Sequence, residues 1–232
     1  MAATNLRKVV FLCSGGGGNL CFIYEAIKRN WIEGLEIAAV LTDRECQANY
    51  FASSVGLPNK CIDFSCQGQQ YLMDELLDID PDLIVTTVHK ILAMSVVDKY
   101  RDKLINLHYS LLPSFGGLIG AQTVKAAMDF GAKFAGVTVH LVDESVDGGK
   151  PITQGVVPIH NMDDSLSAVM NVVFRCGCLA LLAAINLRLT PESTDSTRYI
   201  EVMGRPCLFN GGALSSLPML AEEDFWRCIA GK

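Results

Sequence analysis

Two segments of the sequence carry side chains that could move protons. Residues 104–113 read Leu-Ile-Asn-Leu-His-Tyr-Ser-Leu-Leu-Pro, so Asn106 and His108 are separated by one residue. On a strand this spacing puts both side chains on one face. An asparagine can donate to a developing oxyanion, and a histidine can transfer protons near neutral pH. Taken alone, however, an Asn-x-His pair is explained more readily by a strand end whose polar groups are satisfied.

The second segment is an acidic loop that ends in two glycines. Residues 136–149 read Gly-Val-Thr-Val-His-Leu-Val-Asp-Glu-Ser-Val-Asp-Gly-Gly, so Asp147 is followed by Gly148 and Gly149. A carboxylate on a loop that glycines make flexible is a candidate general base. It is equally a candidate partner that keeps a histidine charged.

A mostly parallel sheet must position these segments. Short apolar runs predict strands at residues 8–13, 35–41, 61–64, 82–88 and 104–108. Where such a run is continuous, the strand is expected to be buried on both faces. Helical patterns alternate with them from residue 19 onward, at 46–55 and at 70–79. This alternation predicts an α/β fold of the Rossmann-like kind, a twisted and mostly parallel sheet with helices on both faces. Asn106 and His108 then lie at the carboxyl end of a strand, where open α/β sheets bind ligands.

The pattern changes in the second half of the chain. Residues 121–130 read as a helix, 134–142 and 151–159 as two strands that could pair as a hairpin, and 166–185 as a long apolar helix. Past Thr190 the composition shifts to Ser, Thr, Pro and Gly. We therefore predict one catalytic domain over residues 1–189 and a loop-rich C-terminal extension over residues 190–232.

A glycine-rich turn follows the first predicted strand. Ser14 and four glycines precede Asn19, where a helix is predicted to begin. Backbone N–H groups and the helix dipole at such a turn favour an anion, so we predict phosphate or anion binding by Gly16, Gly17, Gly18 and Asn19. The turn is neither a Walker loop nor a dinucleotide fingerprint, because no Lys-Ser/Thr follows and the third glycine position is Leu20. A tight turn that needs small residues is the alternative.

Composition excludes several classes of function. A net charge of −6 argues against a broad basic face for nucleic acid. Polar residues break the apolar runs, so no membrane span is expected, and the first ten residues lack a secretory signal. The nine cysteines are odd in number and lack metal-ligand spacing, which predicts reduced thiols, no metal and a cytoplasmic location.

Together, the motifs Asn-x-His-x-Ser-Leu-Leu-Pro, Gly-x-Thr-x-His and Asp-Gly-Gly resemble the formyl transferase superfamily, most closely its glycinamide ribonucleotide transformylases. The likeness runs from about Lys8 to Leu189. It implies a one-carbon transferase of purine biosynthesis that takes its formyl group from N10-formyltetrahydrofolate. The implied folate-lining residues are His89, Lys90, Ile91 and Leu92 on one wall, and Val142, Asp143 and Glu144 on the other.

The resemblance also implies a mechanism without a covalent nucleophile. The acceptor amine attacks the formyl carbon directly, while Asn106 and a protonated His108 stabilise the oxyanion. Asp147 keeps His108 charged and helps to move the amine proton through water. We interpret His140 as a supporting residue of the site rather than as a second base.

The acceptor stays open, because the sequence departs from the family pattern around it. Tyr109 replaces the usual proline, Gly18 replaces a Ser or Thr, and residues 61–88 contain no Lys or Arg for a phosphate clamp. Glycinamide ribonucleotide and a nucleotide-linked amino sugar are the two acceptors considered. A folate-binding protein without catalysis, or hydrolysis of the formyl carrier, is the alternative. The expected partners are folate and a small amine, with no nucleic acid and no membrane, in a monomer or homodimer.

Overall fold

The computed structural model describes residues 6–65, 69–160, 164–189, 196–211 and 223–230. Two compact units make up the chain. One comprises the residues up to Asn106 together with those from Trp226 onward, and the other is Leu107–Phe225. The predicted boundary between residues 189 and 190 stays a prediction.

The first unit is built on parallel strands. Its elements, the last of which runs on into the second unit, are β1 (Arg7–Cys13), α1 (Gly18–Lys28), β2 (Leu35–Thr42), α2 (Gln47–Ser54), β3 (Asn59–Cys61), α3 (Gln69–Ile79), β4 (Leu83–Thr87), α4 (Met94–Lys99) and β5 (Leu104–His108). The strands lie in the order β3-β2-β1-β4-β5, all parallel. Val9 to Leu12 are fully buried, which confirms a strand covered on both faces.

One predicted strand is displaced. The sequence predicted residues 61–64, whereas β3 covers Asn59–Cys61. Ile62 and Phe64 are buried and so imitate the alternation of a strand. The carboxylate of Asp63 accepts hydrogen bonds from the Ser65 backbone N–H at 2.9 Å and from its hydroxyl at 2.5 Å. This local turn competes with a sheet ladder and ends the strand early.

The second unit contains antiparallel strands. Its elements, the last of which ends in the first unit, are α5 (Ala121–Phe130), β6 (Phe134–Leu141), β7 (Pro151–Pro158), α6 (Leu166–Leu189), β8 (Thr197–Val202), β9 (Arg205–Asn210) and α7 (Glu223–Ala230). The strands lie in the order β6-β7-β9-β8. The predicted hairpin of β6 and β7 is confirmed, and it pairs Phe134 with Pro158 and His140 with Pro151. The α/β class is confirmed, with a mixed sheet.

The helix α6 is the apolar centre of the second unit. It is 24 residues long, with a mean hydropathy of 2.1 in its most apolar window, so length and composition alone would allow it to cross a membrane. The sequence predicted a long apolar helix over residues 166–185, and α6 confirms it. However, 78% of that window is buried inside the protein. A helix that is apolar all round and covered by its own chain is typical of a protein core.

The described part of the C-terminal extension is not loop-rich. Residues 190–195 and 212–222 lie outside the described residues, but β8 and β9 form a hairpin whose central residues Met203 and Gly204 have φ values of 51° and 74°. Two positive φ values in a two-residue turn match the twist of antiparallel strands. Arg205 then donates to Pro158 O at 2.9 Å and to both carboxylate oxygens of Asp164. These hydrogen bonds from Arg205 lower the pKa of Asp164 to about 2.

Candidate active site

The structure brings His108 and Asp147 together. His108 is the last residue of β5, and Asp147 lies on the loop that follows β6. The His108 Nδ1 atom is 3.3 Å from Asp147 Oδ2, and both side chains are largely buried. Residues separated by nearly forty positions along the chain therefore form one ion pair, as the motif predicted.

Both ring nitrogens of His108 face oxygen atoms. Nε2 lies 3.2 Å from the carbonyl oxygen of Phe115, while Nδ1 faces the carboxylate of Asp147. A carbonyl and an ionised carboxylate can only accept hydrogen bonds, so each ring nitrogen of His108 faces an acceptor. That Asp147 keeps His108 charged stays a prediction.

Asp147 and Phe115, which both face ring nitrogens of His108, adopt an uncommon backbone conformation. Phe115 has a φ of 59° and Asp147 a φ of 54°, both in the left-handed region. Residues other than glycine rarely adopt this backbone conformation, and they keep it only where surrounding contacts impose it. Gly117 N–H supplies one such contact, since it donates to Asp147 Oδ2 at 2.8 Å. The His108 environment is therefore held in place by two bonded loops.

Gly148 and Gly149 fit the loop closely rather than making it flexible. A Cβ atom on Gly149 would lie 1.7 Å from the carbonyl oxygen of Leu141, and one on Gly148 would lie 2.2 Å from Ser145 Oγ. Asp143 accepts hydrogen bonds from the Ser145 backbone N–H at 2.9 Å and from its hydroxyl at 2.5 Å. The interpretation of a glycine-flexed loop was wrong, because these glycines permit the close backbone approach that places Asp147.

His140 is buried next to Asp147. Its Nε2 atom lies 3.8 Å from Asp147 Oδ1, which is beyond hydrogen-bond distance, and its Nδ1 donates to Leu141 O at 2.7 Å. Burial lowers the pKa of His140, and the opposing effects of Leu141 O and Asp147 do not restore it. A neutral imidazole therefore lies beside the carboxylate at neutral pH, which favours the supporting role over that of a second base.

We expect the stability of the protein to depend on His140 in weakly acidic solution. Because the pKa of this histidine is lower in the folded chain than in the unfolded one, the unfolded chain binds more protons once the pH falls below about 6.5. The free energy of unfolding therefore decreases as the pH falls through that window. Urea unfolding between about pH 7.5 and about pH 5 should show a smaller decrease for His140→Gln than for the unsubstituted protein.

The matched control for that experiment is His160→Gln, at an exposed histidine of the same unit. It should retain the pH dependence of the unsubstituted protein. An identical decrease in all three proteins would contradict the account of His140.

Asn106 lies on β5, two residues before His108, and is half-buried. Its backbone is in register with Thr86 of β4. The strand thus carries both residues of the predicted pair at its carboxyl end, in agreement with the sequence. The part that Asn106 plays in catalysis stays a prediction.

The glycine turn precedes α1 as predicted. Gly17 has a φ of 69°, and a Cβ atom there would lie 3.0 Å from Ala48 Cα. The backbone conformation and the packing therefore both favour glycine at this position, whether or not an anion binds. A Cβ atom on Gly16 would have no other atom within 4 Å. Gly18 and Asn19 form the start of α1, and the helix dipole favours an anion at that end. Anion binding by Gly16, Gly17, Gly18 and Asn19 stays a prediction.

A carboxylate lies beside the first residue of this turn. Burial opposes the ionisation of Asp43, but hydrogen bonds from Arg44 and Ser14 outweigh it and hold the pKa of Asp43 below its usual value. Arg44 donates to both carboxylate oxygens, at 3.1 and 2.7 Å. The cation next to the turn is therefore already paired, which weakens charge neutralisation of a bound phosphate.

The two segments predicted to line the folate site differ in exposure. His89, Lys90 and Ile91 are exposed, and Leu92 is buried. In the other unit, Val142 and Asp143 are half-buried and Glu144 is exposed. Binding of folate by these residues stays a prediction. Sequence reasoning missed Gln69, a buried glutamine that contacts the first segment and whose only signal was a polar residue at the start of a helix.

The residues that the structure describes contain no group of three or more His, Cys, Asp or Glu side chains able to hold a metal ion. The eight cysteines among them are free thiols, and Cys176 and Cys178 are buried in α6 as predicted. Cys66 lies outside the described residues.

Both the sequence and the fold of this chain are similar to those of known proteins. The formyl transferase family matches residues 7–185. Phosphoribosylglycinamide formyltransferase from Mycobacterium tuberculosis (strain ATCC 25618 / H37Rv) is 30% identical over 206 residues, which are 85% of this chain and 89% of the relative. A solved structure of the enzyme of that name from Coxiella burnetii has a TM-score of 0.75 at 26% identity and covers 87% of this chain and 95% of its own.

The match to plant relatives is shorter. The chloroplastic phosphoribosylglycinamide formyltransferase of Vigna unguiculata is 30% identical over 161 residues, which are 66% of this chain and 52% of the relative. For the corresponding protein of Arabidopsis thaliana the covered share is 56%, so the chain spans about half the length of these two relatives. The family match nevertheless extends over most of the chain, from β1 to α6. The chain belongs to the formyl transferase family.

Proposed function

We propose that the protein transfers the formyl group of N10-formyltetrahydrofolate to the primary amine of glycinamide ribonucleotide, a step of purine biosynthesis. The observation that carries the proposal is the buried contact of 3.3 Å between His108 Nδ1 and Asp147 Oδ2 in a chain of the formyl transferase family. Relatives that match most of this chain bear the name phosphoribosylglycinamide formyltransferase, which supports this acceptor. Folate and a small amine are then its partners.

The proposed reaction needs no covalent intermediate with the protein. The amine nitrogen attacks the formyl carbon, so a C–N bond forms and the formyl oxygen becomes an oxyanion. Asn106 and the His108 imidazolium donate to that oxyanion, in a buried environment where such hydrogen bonds are strong. The amine proton leaves through water towards Asp147. The bond to N10 of the carrier then breaks, N10 takes up a proton, and tetrahydrofolate is released.

The hydrogen bond between His108 and Phe115 bears on the oxyanion step. His108 Nε2 donates to the carbonyl oxygen of Phe115 at 3.2 Å, while Nδ1 is held by Asp147. A substrate oxygen at Nε2 therefore competes with that carbonyl for the same proton. Since an oxyanion is a stronger acceptor than a peptide carbonyl, the exchange favours the charge that develops during attack.

The surroundings of the site depart from a ribotide phosphate clamp, which keeps a second acceptor class, a nucleotide-linked amino sugar, as the alternative. The cation beside the glycine turn is already bonded to Asp43. Residues 61–88 contain no Lys or Arg, so this stretch offers no cation to a ribotide phosphate. Tyr109 follows His108, and its ring packs against α6, where a Cβ atom on Gly177 would lie 2.9 Å from Tyr109 Cε1. Tyr109 is half-buried, and a tyrosine ring offers a surface on which a sugar or base can stack.

A panel assay tests the proposal. The purified protein is incubated with N10-formyltetrahydrofolate and, in separate reactions, glycinamide ribonucleotide or a nucleotide-linked amino sugar, and the release of tetrahydrofolate is followed. We expect release that depends on glycinamide ribonucleotide. Release that depends only on an amino sugar would select the second acceptor.

Two further outcomes of the panel would contradict formyl transfer itself. Release without any amine would show hydrolysis of the carrier. Tight binding of folate without release would show a binding protein on the same fold. We also propose a cytoplasmic location and a monomeric or homodimeric state, although the plant relatives are named as chloroplastic.

A further inference from the structure

The segment of residues 88–93 lies at a central position in the first unit. It connects β4, which ends at Thr87, with α4, which begins at Met94. β4 lies between β1, the strand that leads to the glycine turn, and β5, the strand that carries Asn106. Because all three strands are parallel, the segment leaves the sheet at the carboxyl edge, where α/β proteins bind ligands.

Gln69 holds the backbone of this segment. Gln69 is only 6% exposed. Its Nε2 donates to the carbonyl oxygens of Ile91 at 3.0 Å and of Phe64 at 3.2 Å, and its Oε1 accepts from the N–H of Ala93. One amide therefore pairs with the C=O of Ile91 and the N–H of Ala93, as a neighbouring strand would. An irregular segment needs such partners for its backbone groups.

A second side chain holds the start of the segment. Ser14, at the end of β1, accepts a hydrogen bond from the N–H of His89 at 2.9 Å and is itself buried. Two buried polar side chains thus bind three backbone groups within five residues of chain. Such a segment is fixed before any ligand arrives, which reduces the entropy lost on binding.

The fixed backbone presents an uncovered apolar side chain. Ile91 is 79% exposed, although the carbonyl of the same residue is bonded to the buried amide. A single exposed isoleucine is ordinary on a protein surface. An exposed isoleucine on a backbone that two buried side chains hold rigid, at the ligand-binding edge of the sheet, is better explained as part of a preformed apolar wall.

We propose that Gln69 is a positioning residue for the formyl donor, and that it acts by holding Ile91 against the flat heterocyclic ring of that donor. The inference deepens the proposed function and rests on it. Gln69 itself does not touch the donor, because its donors and its acceptor are all used within the protein. A glutamate would keep the acceptor for Ala93 but lose both donors, so the two backbone carbonyls would be left facing a carboxylate.

The test compares Gln69→Leu and Gln69→Glu with the unsubstituted protein in formyl transfer. We expect the KM for N10-formyltetrahydrofolate to rise about tenfold in both variants, since each loses the hydrogen bond from Gln69 to the Ile91 carbonyl and Gln69→Leu also loses the one from Ala93. The KM for the amine and the kcat at saturating donor should change less than about twofold, because both depend on other residues. A merely structural role would instead alter all three parameters or lower the amount of folded protein, which thermal unfolding measures.

Gln70→Leu is the matched control. Gln70 is the next residue on α3, is exposed, and donates to Asp74 at 2.9 Å on its own helix. This variant should leave the KM for the donor unchanged. An unchanged donor KM in both Gln69 variants, or an equal rise in Gln70→Leu, would overturn the inference.

Direct binding separates this inference from the proposed function. Titration of the same proteins with tetrahydrofolate requires no turnover. If the unsubstituted protein transfers formyl but binds tetrahydrofolate no better than Gln69→Leu, the inference fails and the function stands. If the unsubstituted protein neither transfers formyl nor binds tetrahydrofolate, both fail. Weaker binding by Gln69→Leu alone supports the inference.

Discussion

His108→Ala lowers kcat for formyl transfer by at least about 10²–10³-fold, the typical loss of one oxyanion donor. The substitution removes the imidazolium whose two nitrogens face Asp147 and the Phe115 carbonyl. It also leaves the Asp147 carboxylate without its buried partner. The KM for the donor should change little, because His108 contributes mainly where negative charge develops. Steady-state kinetics at saturating donor measure the effect.

Asp147→Asn and Asn106→Ala should each lose at least as much, again about 10²–10³-fold. Asparagine preserves the shape of Asp147 but removes its charge. His160→Ala, at an exposed histidine, is the control and should retain full activity. Near-normal turnover in His108→Ala, Asp147→Asn and Asn106→Ala together would refute the assignment.

Gly149→Ala is expected to lose both stability and activity. A Cβ atom at this position would lie 1.7 Å from the carbonyl oxygen of Leu141, and a backbone atom cannot move aside as the tip of a side chain can. The loop must shift, at a cost of roughly 2–3 kcal/mol in the free energy of unfolding. Asp147 lies two residues away, so its carboxylate moves too, and a displacement of about 1 Å at a reacting centre lowers the rate about 10²-fold.

Denaturant unfolding and kinetics measure the two effects of Gly149→Ala separately. Gly15→Ala is the matched control for stability, because no atom lies within 4 Å of the point where its Cβ would be. It should unfold within about 0.5 kcal/mol of the unsubstituted protein, as substitutions without new contacts do. Equal stability of the two variants would contradict the close packing of the Gly149 loop.

Elements with a strong local signal were predictable from the sequence. The strand Leu104–His108 and the helix Ala121–Phe130 have the predicted bounds. The first contains three buried apolar residues out of five, and Gly131, with a φ of 81°, ends the second. The hairpin of β8 and β9 was missed, because Met203-Gly204 is an unusual pair for a turn with two positive φ values. Helix α4 is only six residues long, too short to show a clear period.

The sequence predicted those residues of the candidate site that take part through their side chains, but not those that contribute only backbone atoms. Asn106, His108 and Asp147 were identified because their residue types and order form a recognisable motif. The contact of His108 with the carbonyl oxygen of Phe115 was not, since any residue supplies a carbonyl and only the fold decides which one is near. The same limit applies to Gln69, whose partners Phe64, Ile91 and Ala93 contribute backbone atoms. Gly149 stands out in the sequence, but only the structure reveals how closely it approaches the carbonyl of Leu141.

We propose that this chain moves a formyl group from the folate carrier to an amine with the help of His108 and Asp147. The most direct measurement of this transfer uses N10-formyltetrahydrofolate with an isotopically labelled formyl carbon, glycinamide ribonucleotide, and mass spectrometry of the products. We predict that the labelled formyl group appears on the ribonucleotide amine with the unsubstituted protein, and at least about 10²-fold more slowly with His108→Ala. Label that appears only as free formate, or that reaches the amine equally fast with His108→Ala, would contradict the account.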